Sequence, residues 1–410
     1  MSSNRPETSV PRDDDGEEGA PEAQLEASVS VIGVPGSYVP SIFDLVAPTH
    51  RARDTTKLYI PPEYLRSEAV DSSVLIGQGA SFTVTRHAIP PAPKYITQRA
   101  DVGGFKLEQV KEAPKRPKFI VYKSANVTFK QDGHPASPRD RRALLSVLTE
   151  FHTLLHPPLL KHPNIIDFLG LAWGSNAATP LHCLPVLVVE YGDRGTLADV
   201  QLGGPPLSRR AKLDISLGIA RGLEVLHQYG IVHGDVKPEN IIMCSSDDKE
   251  KTLVPKLADF GFALIEETES LQVIIGGTKT WRAPESFSPV SVSTLKLTDI
   301  YSFGLLVWSV AIDGRNPFDL LLVDNIRGNE RLQEIDRLKQ SGEVMRLAKM
   351  HEWVSVIQLG NMTSSSALEV LFFTDLDSVL DFTLPIEPNK RDLHAVIRLF
   401  EAELDGVITK

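Results

Sequence analysis

The chain has 410 residues, room for two or three domains or for one large two-lobed enzyme with tails. With 42% hydrophobic and 23% charged residues it is composed like an ordinary water-soluble globular protein, and its net charge of -10 argues against nucleic-acid and anionic-membrane partners. Its two cysteines, Cys183 and Cys244, weigh against a disulfide framework and for a reducing, intracellular home in cytoplasm or nucleus.

The first residues are acidic and polar, unlike a secretory leader. No apolar run reaches the roughly 20 residues that a membrane span requires; the longest, Phe303 to Ile312, reads as a buried core helix. Residues 1–35 set Asp13, Asp14, Asp15, Glu17 and Glu18 among Ser, Pro, Gly and Ala, too little apolar surface to offset ordering entropy, which predicts disorder. Residues 36–70, with Ile42, Phe43, Leu45 and Val46 and then Pro61 and Pro62, read as a tethered approach segment. Structure is expected from about Asp71. Val74 to Ile76 predicts a short strand entering Gly77-Gln78-Gly79, where two glycines let backbone N–H groups approach an anion closely. Residues 88–117, with Pro90, Pro91, Pro93, Gly103, Gly104, Pro114 and Pro117, read as an insertion between two strands.

Phe119 to Lys123 alternates as a strand that ends in a lysine. Ser137-Pro138 opens a helix with Asp140 at the capping-box position; Leu144, Leu148, Phe151 and Leu155 form its apolar stripe, with Glu150 beside it. Strands are expected at Ile165 to Leu171 and Pro185 to Tyr191, the second leading into a glycine-containing connector at Gly192. Leu213, Ile215, Ile219, Leu223 and Leu226 predict a helix ending near Gly230. That helix delivers Ile231-Val232-His233-Gly234-Asp235-Val236-Lys237-Pro238-Glu239-Asn240. Here a carboxylate can accept a proton, a lysine two residues on can neutralise a moving phosphoryl group, and a carboxamide five residues on can offer oxygen to a metal. A polar loop, Ser245 to Lys251, and a strand, Val254 to Leu257, precede Ala258-Asp259-Phe260-Gly261, where the aspartate can point into a cleft. Gly276-Gly277-Thr278-Lys279-Thr280-Trp281-Arg282-Ala283-Pro284-Glu285 comes next. Asp299 is expected to start a helix that is apolar on all sides and hence buried. Between Pro317 and Pro385 helical periodicity continues (Leu332, Ile335, Leu338, then Val344 and Leu347), with a Ser/Thr-rich break at Thr363 to Ser366.

These ordered motifs resemble the protein kinases over roughly residues 71–402. The resemblance implies an α+β fold of two lobes, a small β-rich N-lobe and a larger helical C-lobe, with 318–385 as divergent helices carrying an insertion and 403–410 as a tail. It implies ATP-dependent transfer of the γ-phosphoryl group to Ser/Thr hydroxyls of protein substrates, with Mg²⁺. By the same resemblance Asp235 orients and deprotonates the acceptor, Lys123 grips the α- and β-phosphates while Glu150 holds it, Lys237 absorbs charge, and Thr278 bonds to Asp235 and Lys237. Asn240 and Asp259 would hold the metal. Gly77, Gly79, Val84, Val121, Val189, Glu190, Gly192 and Ile242 would contact the nucleotide, with the backbone around Glu190 and Gly192 on the adenine edge. Asp299 would anchor the catalytic loop, and Arg391 would pair with Glu285.

Two departures from the family pattern stand out. Gly234 occupies the place of an arginine that in many kinases meets a phosphate on the activation segment, so segment phosphorylation is not expected to be the main on-switch. Phe82 occupies the place of a third glycine and is expected to restrict the phosphate loop while leaving tolerable nucleotide affinity. Pro157 to Lys161 reads as an extra turn before His162-Pro163-Asn164. The departures keep an alternative open, a pseudokinase that serves as a nucleotide-binding scaffold. A small-molecule phosphotransferase fits poorly with the Ala-Pro-Glu segment.

Overall fold

The computed structural model describes residues 73–408 apart from 90–94, 100–104, 110–117, 131–133, 174–184, 247–252, 266–275, 287, 323–325 and 351–375. The expected disorder of 1–35, the approach segment 36–70, Cys183 and the break at Thr363 to Ser366 lie outside the described residues.

The first lobe is built on an antiparallel sheet in the order β1-β2-β5-β7-β6. Its strands are β1 (Val74–Gln78), β2 (Phe82–Ala88), β5 (Phe119–Ala125), β6 (Phe168–Trp173) and β7 (Pro185–Glu190). The expected insertion carries a hairpin of its own, β3 (Tyr95–Arg99) paired with β4 (Phe105–Gln109), with Tyr95 opposite Gln109. Expectation and structure differ at β6. Ile165 sits outside the sheet, bridging in parallel to Leu257, and the strand begins at Phe168.

Helix α1 (Pro138–Leu154) starts where the sequence predicts. The Ser137 hydroxyl accepts the Asp140 N–H at 3.2 Å, and Pro138 occupies the first turn, where its missing donor costs nothing. Asp140 departs from the capping box: it accepts the Thr128 N–H at 2.8 Å, tying the helix start to the chain leaving β5. Leu144, Val147, Leu148 and Phe151 bury one face against Phe82, Leu171 and Leu187 of the sheet, and Leu155 lies partly buried at the rim of this cluster. That packing fixes Glu150 beneath the sheet.

The second lobe is helical, with α2 (Leu197–Gly203), α3 (Arg209–Gln228), α4 (Val292–Ala311), α5 (Pro317–Leu321), α6 (Gly328–Gln340), a helix over 343–350, α7 (Leu376–Thr383) and α8 (Leu393–Ile408). Short ribbons pair β8 (Ile231–Val232) with β11 (Leu264–Ile265), and β9 (Ile241–Ser245) with β10 (Leu253–Leu257). One large apolar cluster spans α3, α4, α7 and α8 and reaches Val121 and Val189 of the sheet, so it joins the lobes.

Two expectations are corrected here. Asp299 lies in the middle of α4, not at its start: the helix opens a full two turns earlier, capped by the Ser291 hydroxyl on the Thr294 N–H. Residues 403–408 are not a tail. They complete α8, with Leu404 buried in the core and Glu403 ion-paired to Arg209 of α3. Among the described residues no helix is long and apolar enough to cross a membrane.

Candidate active site

The site lies where the sheet meets the helical lobe. From the sheet comes Lys123, opposite Val84 in the β2–β5 ladder. Its Nζ donates to Glu150 Oε1 at 2.5 Å and stands 3.5 Å from Asp259 Oδ1 of the other lobe. Burial pushes the Glu150 carboxyl up to about 7, against the pull of the Lys123 ammonium. Glu150 Oε2 is buried with no hydrogen-bond partner among the described residues. Phe260, fully buried, turns inward beside the His233 ring at 5.1 Å, so Asp259 faces the cleft. Asp259 takes a φ of 62°, an uncommon backbone conformation that Asp tolerates better than most residues.

The loop after β8 supplies the rest. Asp299 of α4 accepts the N–H of His233 at 2.8 Å and of Gly234 at 3.0 Å, and its Oδ2 lies 2.9 Å from His227 Nε2. His233 Nε2 donates to the Ala258 carbonyl at 3.1 Å while its Nδ1 accepts the Asp235 N–H at 3.3 Å, which selects the neutral Nε2–H tautomer. Gly234 has φ 78°, the left-handed region that glycine enters without a Cβ penalty. Gly277, at φ 75°, packs on it so closely that a Cβ there would meet the Gly234 carbonyl oxygen at 2.8 Å. This back-to-back approach brings Thr278 against the loop. The Thr278 N–H donates to Asp235 Oδ1 at 2.7 Å, and its hydroxyl accepts from Lys237 at 2.7 Å. Lys237 also pairs with Asp235 Oδ2 at 2.7 Å. Burial works against the charge of Asp235, yet the Lys237 ammonium and the Thr278 amide hold its carboxyl below the ordinary value.

Asn240 directs its amide nitrogen to Asp235, at 2.8 Å to the carbonyl and 3.1 Å to Oδ2, and its own carbonyl accepts the Ala258 N–H at 3.0 Å. The Asn240 amide oxygen is thereby left as acceptor, one residue across from Asp259. Two hard oxygen donors suit a Mg²⁺ ion. No group of three or more His, Cys, Asp or Glu suited to a metal occurs among the described residues.

Val84, Val121, Val189 and Ile242 all join the large apolar cluster, and Val121 is paired with Val189 across the sheet. Gly192 lies under Ile242, with space for no side chain: a Cβ would fall 2.2 Å from Ile242 Cγ2. These residues bring apolar surface together where the sheet meets the helical lobe. The Glu190 side chain, as distinct from the backbone expected at the adenine edge, is bonded away from these residues. Its carboxylate accepts from Lys256 at 2.5 Å and from the Asp167 N–H at 2.7 Å, and its own N–H donates to the Asp167 carbonyl.

Gly77 lies within β1, opposite Val84, and Gly79 opens the turn into β2. Asn126, which the sequence did not single out, fastens this turn: its Nδ2 donates to the Gly79 carbonyl at 3.1 Å, its N–H to the Ser81 carbonyl at 2.8 Å, and its Oδ1 accepts the Thr83 hydroxyl at 2.7 Å. Phe82 opens β2. Its buried ring packs on α1 and lies 4.5 Å from Lys123 Nζ, within cation–π range. Away from the cleft, Arg391 pairs with both carboxylate oxygens of Glu285, as expected.

A family model described as a protein kinase domain matches residues 123–385. Mitogen-activated protein kinase kinase kinase 13-A of Xenopus laevis is 35% identical over 163 residues, 40% of this chain and 15% of that protein. Mitogen-activated protein kinase kinase kinase 13 of Homo sapiens is 33% identical over 163 residues, with the same shares of 40% and 15%. A probable serine/threonine-protein kinase of Dictyostelium discoideum is 35% identical over 150 residues, 36% of this chain and 23% of that protein. The chain thus spans between 15% and 23% of the length of these relatives.

Proposed function

We propose a phosphoryl-transfer enzyme, from the premise that this chain belongs to the protein kinase family. The reaction is transfer of the γ-phosphoryl group of ATP to serine or threonine hydroxyls of protein substrates. One observation carries this reading: Lys123, Asp259, Asn240 and Asp235, from distant parts of the chain, converge on one cleft through direct bonds or one intervening residue. The relatives' names favour serine and threonine as acceptors, and so does the Lys237–Thr278 bond beside Asp235. The catalytic unit in this reading runs from about Asp71 through the end of α8.

Asp235 is held at both carboxylate oxygens, by the Thr278 amide and by Lys237, so it meets an incoming hydroxyl in one orientation. A carboxyl below its ordinary pKa is ionised at neutral pH and acts chiefly by orienting the hydroxyl and taking its proton late. Lys123, fixed by Glu150, sets a cation toward the phosphates, and Lys237 adds a second near the transferred group. Mg²⁺, held by Asn240 and Asp259, would supply charge neutralisation on the phosphate oxygens. The apolar surface of Val84, Val121, Val189 and Ile242 would take the base.

A second reading, a pseudokinase scaffold, is favoured by the Phe82 ring over Lys123 and by Gly234. A radiolabelled ATP assay on a generic acceptor protein separates the two. Asp235→Asn should lower transfer by on the order of 10²–10⁴-fold while the nucleotide-induced thermal shift persists. Equal signal from wild type and variant would leave the scaffold reading standing.

A further inference from the structure

Lys339 of α6 is a lysine where the helix otherwise buries apolar residues. It comes after Ile335 and Leu338 on the inward face and is only 2% exposed. Its Nζ donates to three backbone carbonyls, those of Lys279, Thr280 and Arg282, each at 2.8 Å. Every donor of the ammonium therefore has an acceptor, and all three lie in one short stretch. The groups that face it are Asp336 on its own helix, Arg282 on the stretch it holds, and the Phe318 ring of α5 at 5.3 Å. Burial pushes the ammonium down to about 7, with Asp336 pulling the other way. A buried charge is retained against that desolvation only where specific bonds offset it.

The stretch has a defined position. It begins immediately after Thr278, whose amide and hydroxyl touch Asp235 and Lys237. Thr278 borders the carboxylate that an incoming hydroxyl would reach, and residues 279–282 turn back on it through the Trp281 N–H to the Thr278 carbonyl at 2.9 Å. We propose that Lys339 is a positioning residue for the acceptor: it latches residues 279–282 to α6 and so shapes the surface on which a protein substrate lies, without touching nucleotide. The proposal rests on the phosphoryl-transfer reading for its substrate and on geometry alone for the latch.

The test uses the full chain with Lys339→Met and Lys339→Gln, which offer no donor and two in place of three. Deuterium uptake at residues 279–282 reports the latch and needs no turnover. Steady-state kinetics with casein as acceptor reports its use. Expected are at least tenfold faster exchange in Lys339→Met, an intermediate rate in Lys339→Gln, and a KM for casein raised fivefold or more, with kcat and the KM for ATP within twofold of wild type. Unchanged exchange overturns the latch. Faster exchange with an unchanged KM for casein, or a parallel fall in kcat and ATP affinity, overturns the acceptor role. If wild type transfers no phosphoryl group, the phosphoryl-transfer reading and the acceptor role fail together, and exchange alone decides the latch.

Discussion

At the residue scale the least ordinary position is Phe82. Its ring replaces hydrogen with a large apolar group that binds α1 to the sheet and shades Lys123. The two effects oppose each other, which makes them separable. Phe82→Ala should cost about 3–5 kcal/mol of stability, the usual loss for truncating a buried phenylalanine, while uncovering Lys123 and tightening MgATP binding. Thermal unfolding with and without nucleotide checks both: a lower melting point and a larger nucleotide shift are expected together. Glu150 gives a pH dependence. Its carboxyl is raised to about 7 by burial, so the folded state binds this proton more tightly than the unfolded state does. Protonation favours the fold at low pH, and that contribution is lost as pH rises from the ordinary value of 4.5 to about 7. Function runs the other way, because only ionised Glu150 pairs with Lys123. The KM for ATP should fall as pH rises through about 7 and then level off, and Glu150→Gln should flatten that profile at a weaker affinity.

At the element scale, the loop after β8 is held from below and from the side by groups of the chain itself. Asp299 holds its backbone from α4, and the glycine contact at 234 and 277 seats Thr278 on Asp235. Replacing Thr268, Ser270 and Thr280 together with alanine should therefore leave specific activity within about twofold of wild type; loss of most activity would refute an order that needs no phosphate. The bonds of Asp235 with Lys237 and Asn240 were legible in the sequence, because they join residue types at short spacing. The start of α4 was hidden by Thr294, Lys296 and Thr298, which interrupt the apolar pattern before Asp299. Asn126 and Lys339 were illegible for a different reason. Each is a polar side chain whose partners are carbonyls far along the chain, or across a turn, and periodicity carries no trace of such bonds.

At the scale of the molecule, the helical lobe is closed by Arg391. It pairs with Glu285, donates to the carbonyls of Leu297 and Pro385, and lies over the Tyr301 ring at 4.9 Å. Removing one partner of a buried pair strands the other, so Arg391→Ala should lower stability by about 3–5 kcal/mol, measured by denaturant unfolding of the full chain. The two-lobed α+β plan was readable through the resemblance of the ordered motifs to the protein kinases. The hairpin within 88–117 and the extension of α8 to Ile408 were not, since proline and glycine punctuation masked the first and the second is secured by an ion pair to α3. The clasp of Asn126 on the glycine turn bears on throughput. Its bonds to Gly79, Ser81 and Thr83 tie the turn to the chain leaving β5, so that turn and strand are held as one unit. Under the proposed phosphoryl transfer, lifting this turn to let nucleotide out would break the Asn126 bonds, so Asn126→Ala is expected to speed nucleotide release.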